Sequence, residues 1–228
     1  EGADEFFGGY RIYQTPFANA KLSWAPKGLL KGASKAARAL GVRGANYLER
    51  ASERPEDWYY TNANGVAFSP AERDRLRAGK RADAAARVPS PQELIAPAYA
   101  EVAGLDDTTR MQYVDLFFWL VGDILLKTDK MSMAHSLESR VPFLDKQVFG
   151  VSATIPTRLK ANGEQTKLTL REAAERAIPK DWAQKEKLGF PVPVVNWLRQ
   201  ERYYDEIKAW FTGEIAQRFF NTDELVRL

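Results

Sequence analysis

Between residues 114 and 125, apolar side chains fall at Val114, Phe117, Phe118, Val121 and Leu125. Steps of three and four place them on one face of a helix. The segment "TTRMQYVDLFFWLVGDILLKTDKMSMAHSL" therefore predicts a long helix with Thr108 or Thr109 as its N-cap and with Leu125, Met131, Met133 and Leu137 in the core. Pro142 biases Val141 toward extended backbone, so this helix has to stop by about Ser139 or Arg140. Asp145 caps a shorter helix through Ala153, ended by Pro156. After the Asn162-Gly163 turn another helix carries Leu170, Ala173, Ala174 and Ala177 on one face and ends at Pro179. The stretch "VVNWLRQERYYDEIKAWFTG" repeats the helical spacing as far as Gly213, and Thr222 caps a last short helix. Alternation of period two is nearly absent, so the expected fold class is mainly α.

Residues 20–105 differ in tone, with an Ala-rich basic helix candidate, "KGLLKGASKAARALGVRGANYLER", and then turn residues and charges. They read as a helical excursion between the opening motif and the core segment 106–228. Lys27, Lys31, Lys35 and Arg38 form a basic stripe best explained as a solvated helix face.

Composition narrows the chemistry. The chain has no cysteine and one histidine, His135. That excludes disulfides, thiolate metal sites, thiol nucleophiles and multi-histidine metal centres. His135, polar on an apolar helix, reads as a satisfied core or boundary residue. Carboxylates, lysines and arginines are left to carry any reaction. With 33 basic against 30 acidic residues the net charge is only +3, which argues against nucleic acid as an obligate partner. Neither a membrane span nor a signal peptide is visible, and cytoplasmic localisation is expected. The chain opens inside a motif without an initiator Met, as a fragment would.

Three charged clusters stand out. The opening "EGADEFFGGY" crowds Glu1, Asp4 and Glu5 beside the small residues Gly2 and Ala3. Close carboxylates repel unless a cation, a helix N-terminus or water offsets them, and Mg²⁺ shared with substrate phosphates prefers such oxygens. The alternative is an acidic helix start favoured by the macrodipole. The middle run "DILLKTDKMSMAHSLESRVPFLD" sets Asp123, Lys127, Asp129, Lys130, Glu138, Arg140 and Asp145 among apolar residues. Asp123 and Lys127 make a structural i,i+4 pair, whereas Glu138 and Arg140 suit a charge network or a site equally. Lys167 and Arg171 then share a helix face and repel unless an anion lies between them, and Lys185 and Lys187 precede a Gly-Phe-Pro loop.

In order along the chain, "GADEFFGGY", "LLKTDKMSMAHSLESRVPFLD" and "KLTLRE…QKEKLGFPVPVVNWL" resemble motifs of the synthetase domain of glutamine-hydrolysing asparagine synthetases. The resemblance covers nearly all of the chain, and "RPEDWYYTNANGVAFSPAERDRL" is similar to the helical insertion of long bacterial members. It implies the helical C-terminal portion of an α/β ATP-pyrophosphatase domain whose parallel sheet lies mostly upstream. It also implies ATP-dependent amide formation with Mg²⁺: the aspartate side-chain carboxylate attacks the α-phosphate, β-aspartyl-AMP and pyrophosphate form, and ammonia displaces AMP. On the same resemblance Glu1 and Lys167 are the catalytic candidates. Gly2, Ala3, Asp4, Glu5 and Lys187 face ATP or pyrophosphate, and Asp4 also serves the metal. Asp115, Asp129, Glu138 and Arg140 touch or support substrate.

Departures accompany the likeness. Family members carry an upstream Ser-Gly-Gly-x-Asp-Ser pyrophosphate loop and, before it, a glutaminase domain with an N-terminal Cys nucleophile; neither occurs here. The chain alone is therefore expected to be inactive and to depend on those missing segments. Phe6-Phe7 stands where Leu-Phe is usual, and Lys130 where Arg is common. The expected partners are small molecules (ATP, aspartate and ammonia), and a homodimer is compatible with the reading. A β-lactam synthetase or peptide-cyclising relative would use the same adenylation site, and a non-catalytic helical interaction module is the alternative from outside the enzymes.

Overall fold

Asp106 and Asp145 begin the two helices that frame the middle of the chain, each by offering a side-chain oxygen to an otherwise unpaired backbone N–H. Asp106 accepts from the Thr109 amide at 3.1 Å and its hydroxyl at 2.7 Å, and Asp145 accepts from the Gln147 amide at 2.7 Å. The computed structural model describes residues 1–42, 44–61, 70–77, 89–188 and 192–227. The chain divides into two units, one of residues 1–64 and 91–185 and one of residues 65–90 and 186–228. The described residues are mainly helical as expected, and their only strand-like pairing is an isolated antiparallel bridge between Ala161 and Thr166.

The long helix is present but differs in both ends and in pitch. Its N-cap is Asp106 rather than Thr108 or Thr109, because the carboxylate can accept from both groups of Thr109 while the Thr108 hydroxyl turns inward to the Tyr13 carbonyl at 2.9 Å. The run is α over Asp107–Asp115, widens to a π-helix over Leu116–Leu125, and returns to α over Leu126–Met133. It stops several residues before Ser139. Ser136 adopts a left-handed φ of 56°, and the Leu137 amide donates back to the Ser132 carbonyl at 3.0 Å, closing the last turn in a Schellman motif well before Pro142 acts.

The expected core residues are a second correction. Met131, Met133 and Leu137 are 62%, 54% and 64% exposed, Leu125 is half-buried and His135 is exposed. Periodicity identifies an apolar face but not what covers it, and among the described residues this one is buried at Val114 yet left mostly open at Met131, Met133 and Leu137. The first unit is instead organised around Tyr13, Tyr59 and Met111, with Tyr10, Ile12 and Trp58 packed on them, and around Ile95, Tyr99 and Val114.

Elsewhere local chemistry sets the boundaries. The helix after Asp145 runs Lys146–Thr154, as expected. The helix after Asn162-Gly163 is shorter than its pattern, Leu168–Ala174, and loosens into turns before Pro179. Lys27–Ala39 is helical, and its basic stripe is solvated, with Lys31 paired to Glu53 at 3.5 Å and Arg38 to Glu49 at 2.5 Å. In the second unit the predicted single helix is broken at Arg199-Gln200 into Val194–Leu198 and Glu201–Thr212. Asn221, not Thr222, caps Thr222–Arg227 by accepting from the Glu224 amide at 3.3 Å. Residues 62–69 and 78–88 of the excursion, and the Gly-Phe-Pro loop at 189–191, lie outside the described residues.

Asp106 also ties the long helix to the helix Thr157–Lys160, accepting from the Thr157 hydroxyl at 2.8 Å. Burial alone would raise its carboxyl, but hydrogen bonds from Thr109 and Thr157 outweigh that and hold it below the usual carboxylate value. A depressed folded-state value means the contribution is fully present above pH ~4 and is lost as pH falls through the folded value. Asp106→Ala is expected to lower stability by about 1 kcal/mol near neutral pH. In thermal melts, the gap between parent and variant should narrow as pH falls below the ordinary carboxylate value.

Candidate functional site

The opening acidic motif folds into a one-and-a-half-turn helix, Ala3–Phe7, entered through Gly2 at a left-handed φ of 92°. Gly2 is demanded twice: by that backbone angle, and because a Cβ there would stand 2.2 Å from a Leu144 methyl. Phe6 packs on Phe149 with ring centroids 5.2 Å apart, and Phe7 meets Phe143 at 6.4 Å, so the motif is anchored to the segment that follows "SLESRVP". Phe6 and Phe7 are buried, which fits an apolar residue of either shape there.

Asp4 and Lys167, remote in sequence, meet in space: Nζ of Lys167 lies 3.0 Å from Oδ1 of Asp4, with the side chains 21% and 24% exposed. Both therefore sit at a rim, shielded from bulk water yet reachable by a ligand. Lys167 is held at an unusual angle. It forms the N-cap of Leu168–Ala174 with φ 58° and ψ 33°, and Ser136 is the other non-glycine residue at positive φ among the described residues. Such angles cost a side-chain-bearing residue of order 1 kcal/mol or more and persist only where the surroundings impose them.

Glu5 points the other way. It is buried, and its carboxylate accepts from the Tyr10 hydroxyl at 2.6 Å, which itself accepts from the Trp119 indole at 3.1 Å. Burial and the Glu5 hydrogen bond push the Tyr10 phenol far above its ordinary value, so it remains a donor. The Gln112 amide binds the Glu5 carbonyl at 2.6 Å. Glu1 is exposed and accepts a long hydrogen bond, 3.4 Å, from the Thr128 hydroxyl, and Asp129 is exposed on the next position of the same helix.

Among the remaining candidates, Glu138 and Arg140 pair with each other at 2.7 Å and are 69% and 81% exposed. Asp115 is fully buried and accepts from the hydroxyls of Tyr13 and Tyr59. Lys187 is exposed and belongs to the second unit. Asp123 and Lys127 form their i,i+4 pair at 3.6 Å on an exposed face, a contribution of a few tenths of a kcal/mol at most. Arg171 is turned to backbone acceptors. Its guanidinium donates to the carbonyls of Thr166, Ala183 and Lys185 at 2.9, 3.1 and 2.9 Å, closing the turn after its helix. The spacing of Lys167 and Arg171 concealed this, because carbonyl acceptors leave no mark in a charge pattern.

The described residues contain no group of three or more His, Cys, Asp or Glu side chains able to hold a metal alone. The family pattern of asparagine synthase matches residues 1–228, the full length of the chain. The chain belongs to the asparagine synthase family. Over 201 residues, 87% of this chain, it is 45% identical to putative asparagine synthetases [glutamine-hydrolyzing] of Mycobacterium bovis and Mycobacterium tuberculosis, covering 30% of each. Over 203 residues, 88% of this chain, it is 41% identical to asparagine synthetase [glutamine-hydrolyzing] 1 of Bacillus subtilis, covering 31% of that protein. The chain thus spans about three tenths of the length of these relatives. No solved structure matches it. Among the described residues no helix is long and apolar enough to cross a membrane.

Proposed function

We propose that this chain is the C-terminal part of the synthetase domain of a glutamine-hydrolysing asparagine synthetase, acting with an upstream parallel sheet, pyrophosphate loop and glutaminase domain. In this reading residues 20–105 are the helical insertion and residues 106–228 the core segment. The enzyme activates the aspartate side-chain carboxylate with ATP, releases pyrophosphate, and lets ammonia displace AMP from the acyl-adenylate. The observation that supports it most is the Asp4–Lys167 pair, 3.0 Å apart at a rim, with Lys167 held in a strained left-handed conformation.

Lys167 is the cation that meets charge developing on the leaving pyrophosphate, the kind of contact that matters most in a transition state. Glu1, on the exposed side of Gly2, takes a proton from the incoming amine. Gly2 and Ala3 keep bulk away from the nucleotide, and Asp129, Glu138 and Arg140 serve phosphate or substrate from more exposed positions. Asp4 offers one rim carboxylate, a donor set that fits Mg²⁺ shared with substrate phosphates and does not fit a metal held by protein alone. Mg²⁺ held there would neutralise phosphate charge. Glu5, buried against Tyr10, supports the backbone of the motif from behind.

The test is pyrophosphate release by the full-length enzyme supplied with ATP, aspartate and ammonia. Release that requires aspartate, with asparagine and AMP formed in equal amounts, is the expected result. Release without aspartate, or an amide formed on a different acid, would overturn the assignment.

A further inference from the structure

Gly9 is buried, and its φ lies outside the left-handed region that favours glycine, so its backbone angle does not explain why it lacks a side chain. Space does. A Cβ built on Gly9 would lie 2.0 Å from Oδ1 of Asp4, 2.8 Å from Cγ of Asp4 and 2.2 Å from Cε of Lys167. The three nearest atoms all belong to these two side chains. They are also the ends of flexible side chains rather than fixed backbone, and can swing aside.

We propose that Gly9 is a positioning residue for the Asp4–Lys167 pair, its bare α-carbon being the space in which the carboxylate and the lysine stem meet. The inference rests on the assignment of that pair to the phosphate site and adds to it a residue that touches neither substrate nor metal. The fold aids the arrangement from both sides. The Gly9 amide donates to the Asp4 carbonyl at 2.7 Å, closing the opening helix, while the stem of Lys167, whose backbone is left-handed, passes across Gly9. A methyl at Gly9 can be accommodated only by driving the carboxylate and the ammonium off their present positions. A displacement of about 1 Å in a group that must meet a transition state can cost on the order of a hundredfold in rate, whereas rotating two rim side chains toward water disturbs the fold little.

The experiment compares Gly9→Ala, Lys167→Ala, Asp4→Ala/Lys167→Ala and Asp4→Ala/Gly9→Ala/Lys167→Ala in the full-length enzyme, by pyrophosphate release at saturating ATP, aspartate and ammonia and by thermal melting. Gly9→Ala is expected to lose roughly thirtyfold to a hundredfold in kcat with the KM for aspartate within about threefold and an almost unchanged melting temperature. In the background that lacks both side chains, adding Gly9→Ala should cost no more than about a further threefold, because a residue that acts through Asp4 and Lys167 has nothing left to act on. Losses that multiply would mean that Gly9 acts elsewhere and would overturn the inference. Gly9→Ala within about threefold of the parent, beside a Lys167→Ala that loses a hundredfold, would overturn it while leaving the site assignment standing. Lys167→Ala within about threefold of the parent would remove the site assignment and the inference with it. If Gly9→Ala folds poorly, the triple variant Asp4→Ala/Gly9→Ala/Lys167→Ala decides. Recovery of the melting temperature places the collision at those two side chains, and failure to recover overturns the proposal.

Discussion

Lys167→Ala in the full-length enzyme is expected to lower the rate of adenylate formation by a hundredfold or more while leaving aspartate binding and the fold nearly intact. The ammonium lies at a rim beside Asp4, 3.0 Å away and with its side chain 21% exposed, so truncation removes one partly screened ion pair. Partly exposed pairs contribute up to about 1 kcal/mol, and the left-handed backbone at position 167 is as awkward for Ala as for Lys. The chemical step behaves differently. A fixed charge aimed at phosphate oxygens binds more strongly as negative charge shifts onto pyrophosphate, and losing one such contact costs roughly 3 to 4 kcal/mol of transition-state stabilisation. The two magnitudes differ by enough to decide between a structural and a catalytic lysine. The measurement is pyrophosphate release with ammonia supplied directly, so that glutamine hydrolysis plays no part. Turnover within about threefold of the parent would return Lys167 to a structural role.

What could be read from the sequence divides along the distance over which each feature is determined. Helix starts are local. Asp145 was identifiable as a cap from its neighbours alone, and Asp106 was missed by two or three positions because Thr108 and Thr109 offered the same chemistry beside it. The helical character of the described residues followed from apolar spacing, but the π-helical widening over Leu116–Leu125 did not, since a run apolar on nearly every side carries no marker of pitch. The end at Met133 depended on a left-handed serine, which no propensity favours. For the candidate site, the long motifs picked out Asp4 and Lys167 through family likeness, while charge spacing coupled Lys167 to Arg171, which the structure uses to tie down three carbonyls. Gly9 is one of two adjacent glycines in the sequence, yet its reason lies in Asp4 and Lys167, contacts that exist only after folding. The same holds for Tyr13, Tyr59 and Asp115, whose meeting no local pattern announces.

Asp115→Ala is expected to unfold the first unit at markedly lower temperature, by on the order of 10 °C. The Asp115 carboxylate is fully buried and accepts from the hydroxyls of Tyr13 and Tyr59, themselves 0% and 3% exposed. Burial, followed by the Asp115 charge, holds both phenols far above their ordinary values, so both keep their protons and need an acceptor at any physiological pH. Each phenol stranded without one costs about 1–3 kcal/mol, and the vacated carboxymethyl volume adds to that, for a total near 3–5 kcal/mol. At roughly 2–4 °C per kcal/mol for a unit of this size, the shift is large enough to read in any melt. Asp115→Asn supplies the control. Its amide oxygen still accepts a hydrogen bond, so it should recover a substantial part of the loss without restoring the charge. The competing expectation from family likeness, in which Asp115 contacts or supports substrate, predicts a raised KM for aspartate at an unchanged melting temperature. A variant that melts with the parent while its KM rises tenfold would place Asp115 in the site after all. One that melts early and, below its transition, binds aspartate normally would assign it to the tyrosine-bridged core that holds the opening motif against the long helix.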